Sequence, residues 1–118
     1  MKSINRITVA GHLGQDPETK TFDNGTTLTT ISIATSSYMG KQDNGEPRYD
    51  TQWHKCSAFG KVGELIAQYC KKGDKLYVEG EMRYRTYQNA ENITVYLSEI
   101  IVQDFYLCGS ANENKAPY

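Results

Sequence analysis

A period of two governs this sequence, and a helical period shows only once. Ile7 and Val9 alternate with Arg6 and Thr8 up to Gly11, which reads as a first strand. Thr26 to Ser37, "TTLTTISIATSS", is β-branched and alternating, a second strand. Tyr49 to Phe59 is a third. Lys75 to Tyr87, "KLYVEGEMRYRTY", puts Leu76, Val78, Met82 and Tyr84 on one face, with Gly80 as a bend. Asn92 to Cys108 supplies the last long strand. The exception is "KVGELIAQYCKKG", where Val62, Leu65, Ile66 and Tyr69 form one apolar helical stripe. Lys71 and Lys72 suit the negative end of that helix, and Gly73 the left-handed position past it.

The connections carry turn chemistry. Pro17 in "GQDPE" fixes its own φ and turns Asp16 away from helix. "DNG" occurs twice, at Asp23 to Gly25 and Asp43 to Gly45. Tyr38 to Arg48 is polar, with Gly40 and Pro47, and reads as a long mobile hairpin loop. Gly109 to Tyr118 has no apolar periodicity and reads as a short disordered tail. A chain of 118 residues suits one domain, here residues 1–108 followed by the tail 109–118. Five strands with one helix between the third and fourth predict an all-β fold, a closed Greek-key barrel of the OB-fold type. A flat sheet capped by the helix is the structural alternative.

Overall charge gives no argument for a polyanionic partner, since the formal net charge is −1. Local charge is uneven. Lys55 to Tyr87 holds seven bases against four acids, and Glu91 to the end holds four acids against one base. The three cysteines, Cys56, Cys70 and Cys108, form no C-x-x-C pair and read as free thiols of a reducing compartment, the cytoplasm. Nothing resembles a secretory leader or a membrane span, so no membrane association is expected.

The stretch "TQWHKCSAFGK" (Thr51 to Lys61) points to a function. Strand residues alternate between faces, so Trp53, Lys55, Ser57 and Phe59 share one, and His54, Cys56 and Ala58 the other. An unpaired Lys is costly to bury, which puts the Trp53 and Phe59 face outside. Exposed rings on one strand need a reason. Single-stranded nucleic acid supplies one: unstacked bases lie on rings whatever their sequence, and lysines neutralise the phosphates. The bland reading packs both rings under a loop or a subunit. Arg83, Arg85 and Tyr87 repeat the pattern on the outward face of the fourth strand, although Glu79 and Glu81 share that parity. Tyr38 and Tyr49 bracket the loop that carries Lys41 and Arg48, and such a loop could fold over a bound strand.

Together, "VAGHLGQDPE" (Val9 to Glu18), "DNGTTLTTISIATS" (Asp23 to Ser36), "TQWHKCSAFGK" and "KKGDKLYVEGEMRYRTY" (Lys71 to Tyr87) resemble the bacterial single-stranded DNA-binding protein family in order and spacing. The resemblance runs from about residue 5 to 107 and implies an OB-fold, usually a homotetramer, that binds single-stranded DNA in replication, recombination and repair, in the cytoplasm at the nucleoid. A dimer is the alternative assembly. By the same resemblance Trp53 and Phe59 match the family's stacking rings, and Tyr87 and Tyr38 fall at or near Trp positions. Lys55, Lys61, Lys72 and Arg85 match basic positions, and Arg6 aligns with a frequent Lys. One departure matters: the family ends in a long tail with an acidic tip closing on Pro-Phe. Here the chain closes on Ala116-Pro117-Tyr118 with Glu113 its only tail acid. A truncated chain and a phage or mobile-element relative both fit, and tail-mediated partner recruitment is not expected.

No cofactor and no metal are expected. Metal-assisted cleavage needs converging carboxylates, and the acids here are scattered. His54 and Cys56 share a strand face, but two ligands without a second pair are weak. There is no phosphate-cradling G-x-x-x-x-G-K-[ST] and no nucleophile elbow, so no catalytic residue is assigned. The rival binding function is an accessory, primosome-type OB-fold protein, which would bury the rings in a protein contact.

Overall fold

The computed structural model describes residues 2–109. Six strands and one helix follow in the order β1 (Ile7–Leu13), β2 (Glu18–Thr21), β3 (Thr27–Lys41), β4 (Pro47–Phe59), α1 (Gly60–Tyr69), β5 (Lys75–Gln88) and β6 (Thr94–Gly109). Neighbours run β1-β5-β6-β4-β3-β2, and β1 also pairs with β3 through His12↔Ala34 and Leu13↔Ile33. That second pairing closes the barrel and excludes the flat sheet. The one parallel contact, β4 with β6, spans only Cys56↔Ile100 and Ser57↔Ile101.

The strand count is six where five are expected. Glu18–Thr21 leaves the Pro17 turn and pairs antiparallel with Thr27–Thr30. All four of its residues are exposed, so no alternation marks it in the sequence. It is an edge strand held by backbone hydrogen bonds.

Alternation does place the core. Ile31 and Ile33 of β3, Cys56 and Ala58 of β4, Leu76 and Val78 of β5 and Ile100 of β6 are all sealed from solvent around Ile66 of α1. Gly80 sits at a bulge between β5 and β6, where a Cβ would collide with the Ile101 carbonyl, so the expected bend is confirmed.

The helix differs from expectation at both ends. Phe59 is still extended, and Gly60 at φ 63° makes the sharp turn into the helix that residues with a Cβ rarely adopt. The helix ends at Tyr69 with the Cys70 N–H donating to the Ile66 carbonyl, so Lys71 and Lys72 lie in the next turn and not in the last helical one. Gly73 is left-handed as expected, but in that turn. Tyr69 is exposed and Gly63 is buried in its place, because the Thr29 hydroxyl donates to the Gly63 carbonyl and draws the helix onto β3.

Two hairpins run beyond the barrel. The expected mobile loop from Tyr38 to Arg48 is instead the ordered end of the β3–β4 hairpin, paired as far as Lys41↔Pro47 with a bulge after Tyr38. Only residues 42–46 turn. The Gln42 N–H donates to Glu46, Gly45 donates to Gln42, and the Asn44 side chain accepts from Glu46. The other "DNG", after β2, repeats this arrangement. The β5–β6 turn repeats the backbone bonds a third time, with Asn92 at φ 61° in the glycine's place and the Asn89 side chain accepting from the Glu91 and Ile93 N–H groups. The β5–β6 arm also explains Tyr84, which shares the parity of the core residues. The strand has left the barrel there, and Tyr84 is exposed. Of the expected tail from Gly109 to Tyr118, Gly109 is instead the last residue of β6, paired with Lys75, and residues 110–118 lie outside the described residues.

Candidate nucleic-acid interface

The register of β3 against β4 builds one continuous outer face. Tyr38 stands opposite Tyr49, Ser36 opposite Thr51, Ala34 opposite Trp53, Ser32 opposite Lys55, Thr30 opposite Ser57 and Leu28 opposite Phe59. Directly opposed residues project to the same side, so the four rings named from the sequence on these two strands share a face. Trp53 is 60 % exposed and Phe59 46 % exposed. Small side chains on β3 flank the indole and leave room beside it. Tyr38 and Tyr49 meet edge to face at 5.9 Å, a contact that fixes both rings near the tip of the hairpin. Trp53 and Phe59 are six positions apart, which at about 3.3 Å per residue spaces them by roughly 20 Å.

The indole has a seat. A Cβ on Gly14 would run into its six-membered ring, so only glycine fits beneath it. The Gly14 N–H donates to the Ser32 carbonyl at 3.0 Å. Nearby, the Asp16 carboxylate accepts from the Lys72 N–H at 2.8 Å, and Leu13 exchanges backbone hydrogen bonds with Gly73 and Asp74. These bonds tie the turn bearing Lys72 to the loop under Trp53.

The β5–β6 arm joins the same face through three side chains. The Ser57 hydroxyl donates to Glu99 Oε2 at 3.0 Å, and Arg85 Nε lies 3.4 Å from Glu99 Oε1. Ser57 is on β4, Glu99 on β6 and Arg85 on β5, so the link crosses the three strands. Arg83 stands opposite Glu99 but pairs with Glu81 at 3.2 Å. Tyr87 follows on the arm, 47 % exposed. Where β4 and β6 diverge they leave a cleft of about 150 Å³, lined by Trp53, Lys55, Ser98 and Glu99 with Ile7 and Met82 at its side.

The remaining basic residues stand at the rim. Lys55, Lys61, Lys41 and Arg48 are exposed. Lys61 is two residues beyond Phe59, at the start of α1. Arg48 Nη2 donates to the Met39 carbonyl at 3.4 Å, which steadies it on its own hairpin. Arg6 is exposed just before β1, where Asn5 clamps the chain by exchanging hydrogen bonds with the Met82 backbone. Arg6 lies just before β1 and Lys72 in the turn after α1, off the β3 and β4 strands that carry the four rings.

On the opposite side of β4, His54 Nε2 meets the Thr35 hydroxyl at 2.8 Å, and Cys56 is fully buried. Burial pushes the Cys56 thiol up to about 12, which keeps it neutral and inert. Among the described residues no cluster of His, Cys, Asp and Glu is arranged to hold a metal ion. Among them, too, no helix is long and apolar enough to cross a membrane.

With this geometry in view, the family model described as "Single-strand binding protein family" matches residues 4–108. The chain belongs to the single-strand binding protein family. Within that family it is 37 % identical over 112 residues to a single-stranded DNA-binding protein of Xanthomonas axonopodis pv. citri, covering 95 % of this chain and 62 % of that one. It is 32 % identical over 114 residues to single-stranded DNA-binding protein 1 of Xylella fastidiosa, covering 97 % and 84 %. The chain thus spans about three fifths of the Xanthomonas relative's length. A solved structure titled "Plasmodium falciparum SSB complex with ssDNA" superposes with a TM-score of 0.80 at 27 % identity, covering 91 % of this chain and 97 % of that one. The barrel is accordingly the expected OB-fold, with one more strand.

Sequence reasoning puts Ser57 on this face without a role and misses Glu99 and Gly14. Glu99 looks like an ordinary position of an alternating strand, and only the three-strand crossing brings it to Ser57 and Arg85. Gly14 was read as part of a turn. Its place under Trp53 depends on the fold, and no local signal marks it.

Proposed function

We propose that this chain binds and protects single-stranded DNA without regard to base sequence, in replication, recombination and repair. The face carrying Tyr38, Tyr49, Trp53 and Phe59 supports this reading most strongly. Its rings are exposed on adjacent strands, and each offers a surface that any unstacked base can lie against. Lys55, Lys61, Lys41 and Arg48 beside them, with Arg85, Arg83 and Tyr87 on the second arm, would neutralise phosphates and extend the path. Arg6 and Lys72 complete the set as peripheral cations. Membership of the family and the names of the relatives favour the same ligand.

The reading makes the protein a binding protein and not an enzyme, acting without a cofactor. It works as a homotetramer, with a dimer as the alternative, in the cytoplasm at the nucleoid. Anisotropy of labelled oligonucleotides tests the ligand. Oligo(dT) and mixed single strands should bind alike and intact, and a duplex of the same length far more weakly. Equal binding of the duplex would overturn the reading.

A further inference from the structure

Glu99 is an oddity on a face meant for phosphates. It is 7 % exposed, yet it is a carboxylate lining the cleft beside Trp53 and Lys55. Burying a charge is costly unless it is paired and hydrogen-bonded, and both partners are present. Ser57 holds Oε2 and Arg85 holds Oε1. Arg83, its directly opposed neighbour, is engaged by Glu81. The Arg85 contact is made through Nε, which leaves the two terminal nitrogens for another acceptor. A guanidinium can serve two acceptors along different edges of its plane.

We propose that Glu99 is a positioning residue and internal counter-ion for Arg85. It fixes the guanidinium at the cleft and competes with the DNA phosphate for it. The inference rests on the single-stranded DNA reading above. A fixed anion so near the bound phosphate weakens binding. If the guanidinium shifts from Glu99 to phosphate, the exposed carboxylate draws in a cation of its own. The contact then releases fewer ions than the roughly 0.7 per phosphate expected for a single strand. A face with such a residue gives a strand up more readily than its cations alone would allow.

The test is a set of oligo(dT) titrations across salt concentrations on the wild type, Glu99→Gln, Arg85→Ala, Lys55→Ala and the Glu99→Gln/Arg85→Ala double variant. Thermal melts confirm folding. Gln keeps an acceptor for Ser57 and removes the charge. Glu99→Gln should bind several-fold tighter at low salt. In the wild-type background Arg85→Ala should lower the salt slope by clearly less than Lys55→Ala does. In the Glu99→Gln background it should lower the slope by the full value of about 0.7. The idea fails if Glu99→Gln binds no tighter, or if Arg85→Ala costs the same slope in both backgrounds. Should Glu99→Gln not fold, the wild-type comparison of Arg85→Ala with Lys55→Ala still decides, because equal slope losses would overturn the proposal. Absence of wild-type binding would instead sink the DNA reading itself.

Discussion

Trp53 rests on Gly14: a Cβ at position 14 would stand 2.9 Å from Cη2 of the indole and closer still to Cζ3. The strand that presents the ring and the loop that supports it are far apart in sequence. The barrel brings them together. Gly14→Ala should therefore move the ring without disturbing the core. We expect a melting temperature close to wild type and weaker oligo(dT) binding, by less than the about 1–3 kcal/mol that removal of a stacking ring costs. Unchanged affinity would show that the seat does not matter.

Removing the ring itself sets the upper limit. Trp53→Ala should lose about 1–3 kcal/mol against oligo(dT), oligo(dC) and mixed sequences alike. Titrations with each oligonucleotide test this, and a loss confined to one base would mean sequence readout and not stacking.

Lys61 should behave differently. It is exposed beside Phe59, and on the proposed reading its charge would act on phosphates, not bases. Lys61→Ala should flatten the salt dependence of binding by about 0.7, while Trp53→Ala leaves the slope in place. Identical slopes in the two variants would contradict this division between rings and cations.

Much of the architecture could be read from alternation. Ile31, Ile33, Leu76, Val78 and Ile100 are inside because their strands are buried on one face only, which gives a period of two. The Trp53 and Phe59 face followed from the same rule with Lys55 as its marker. β2 escaped because both of its faces are exposed. The β3–β4 arm escaped, and so did the exposure of Tyr84 on the β5–β6 arm whose strands the alternation did give, because inside and outside need a core: past Met82 and Thr35 there is none. Ser57 is buried on the outward face for a reason no strand pattern carries, namely the Glu99 carboxylate that covers it.

The thiols give a pH prediction. Burial pushes Cys56 up to about 12 from its ordinary 9.0. Cys70 rises to about 11, through burial and then the nearby Asp74 charge. Both folded values lie above the unfolded one, so the unfolded chain loses these protons first. The stabilisation is complete below about pH 9 and falls as pH rises toward 11 and 12. Denaturant melts between pH 7 and 10.5 should show declining stability, and less of it in Cys56→Ala. At pH 8 a thiol reagent should label exposed Cys108 quickly and the buried pair only on unfolding. Rapid labelling of Cys56 would contradict the packing described.

Emission from Trp53, the sole indole in the chain, reports on the proposed contact without any added label. The measurement is its fluorescence as oligo(dT) is added at low salt and then displaced with concentrated salt. Stacking requires a strong, saturable quench that salt reverses, and no comparable quench from a duplex of equal length. If the oligonucleotide binds by anisotropy while the indole emission stays unchanged, the strand does not lie on this face.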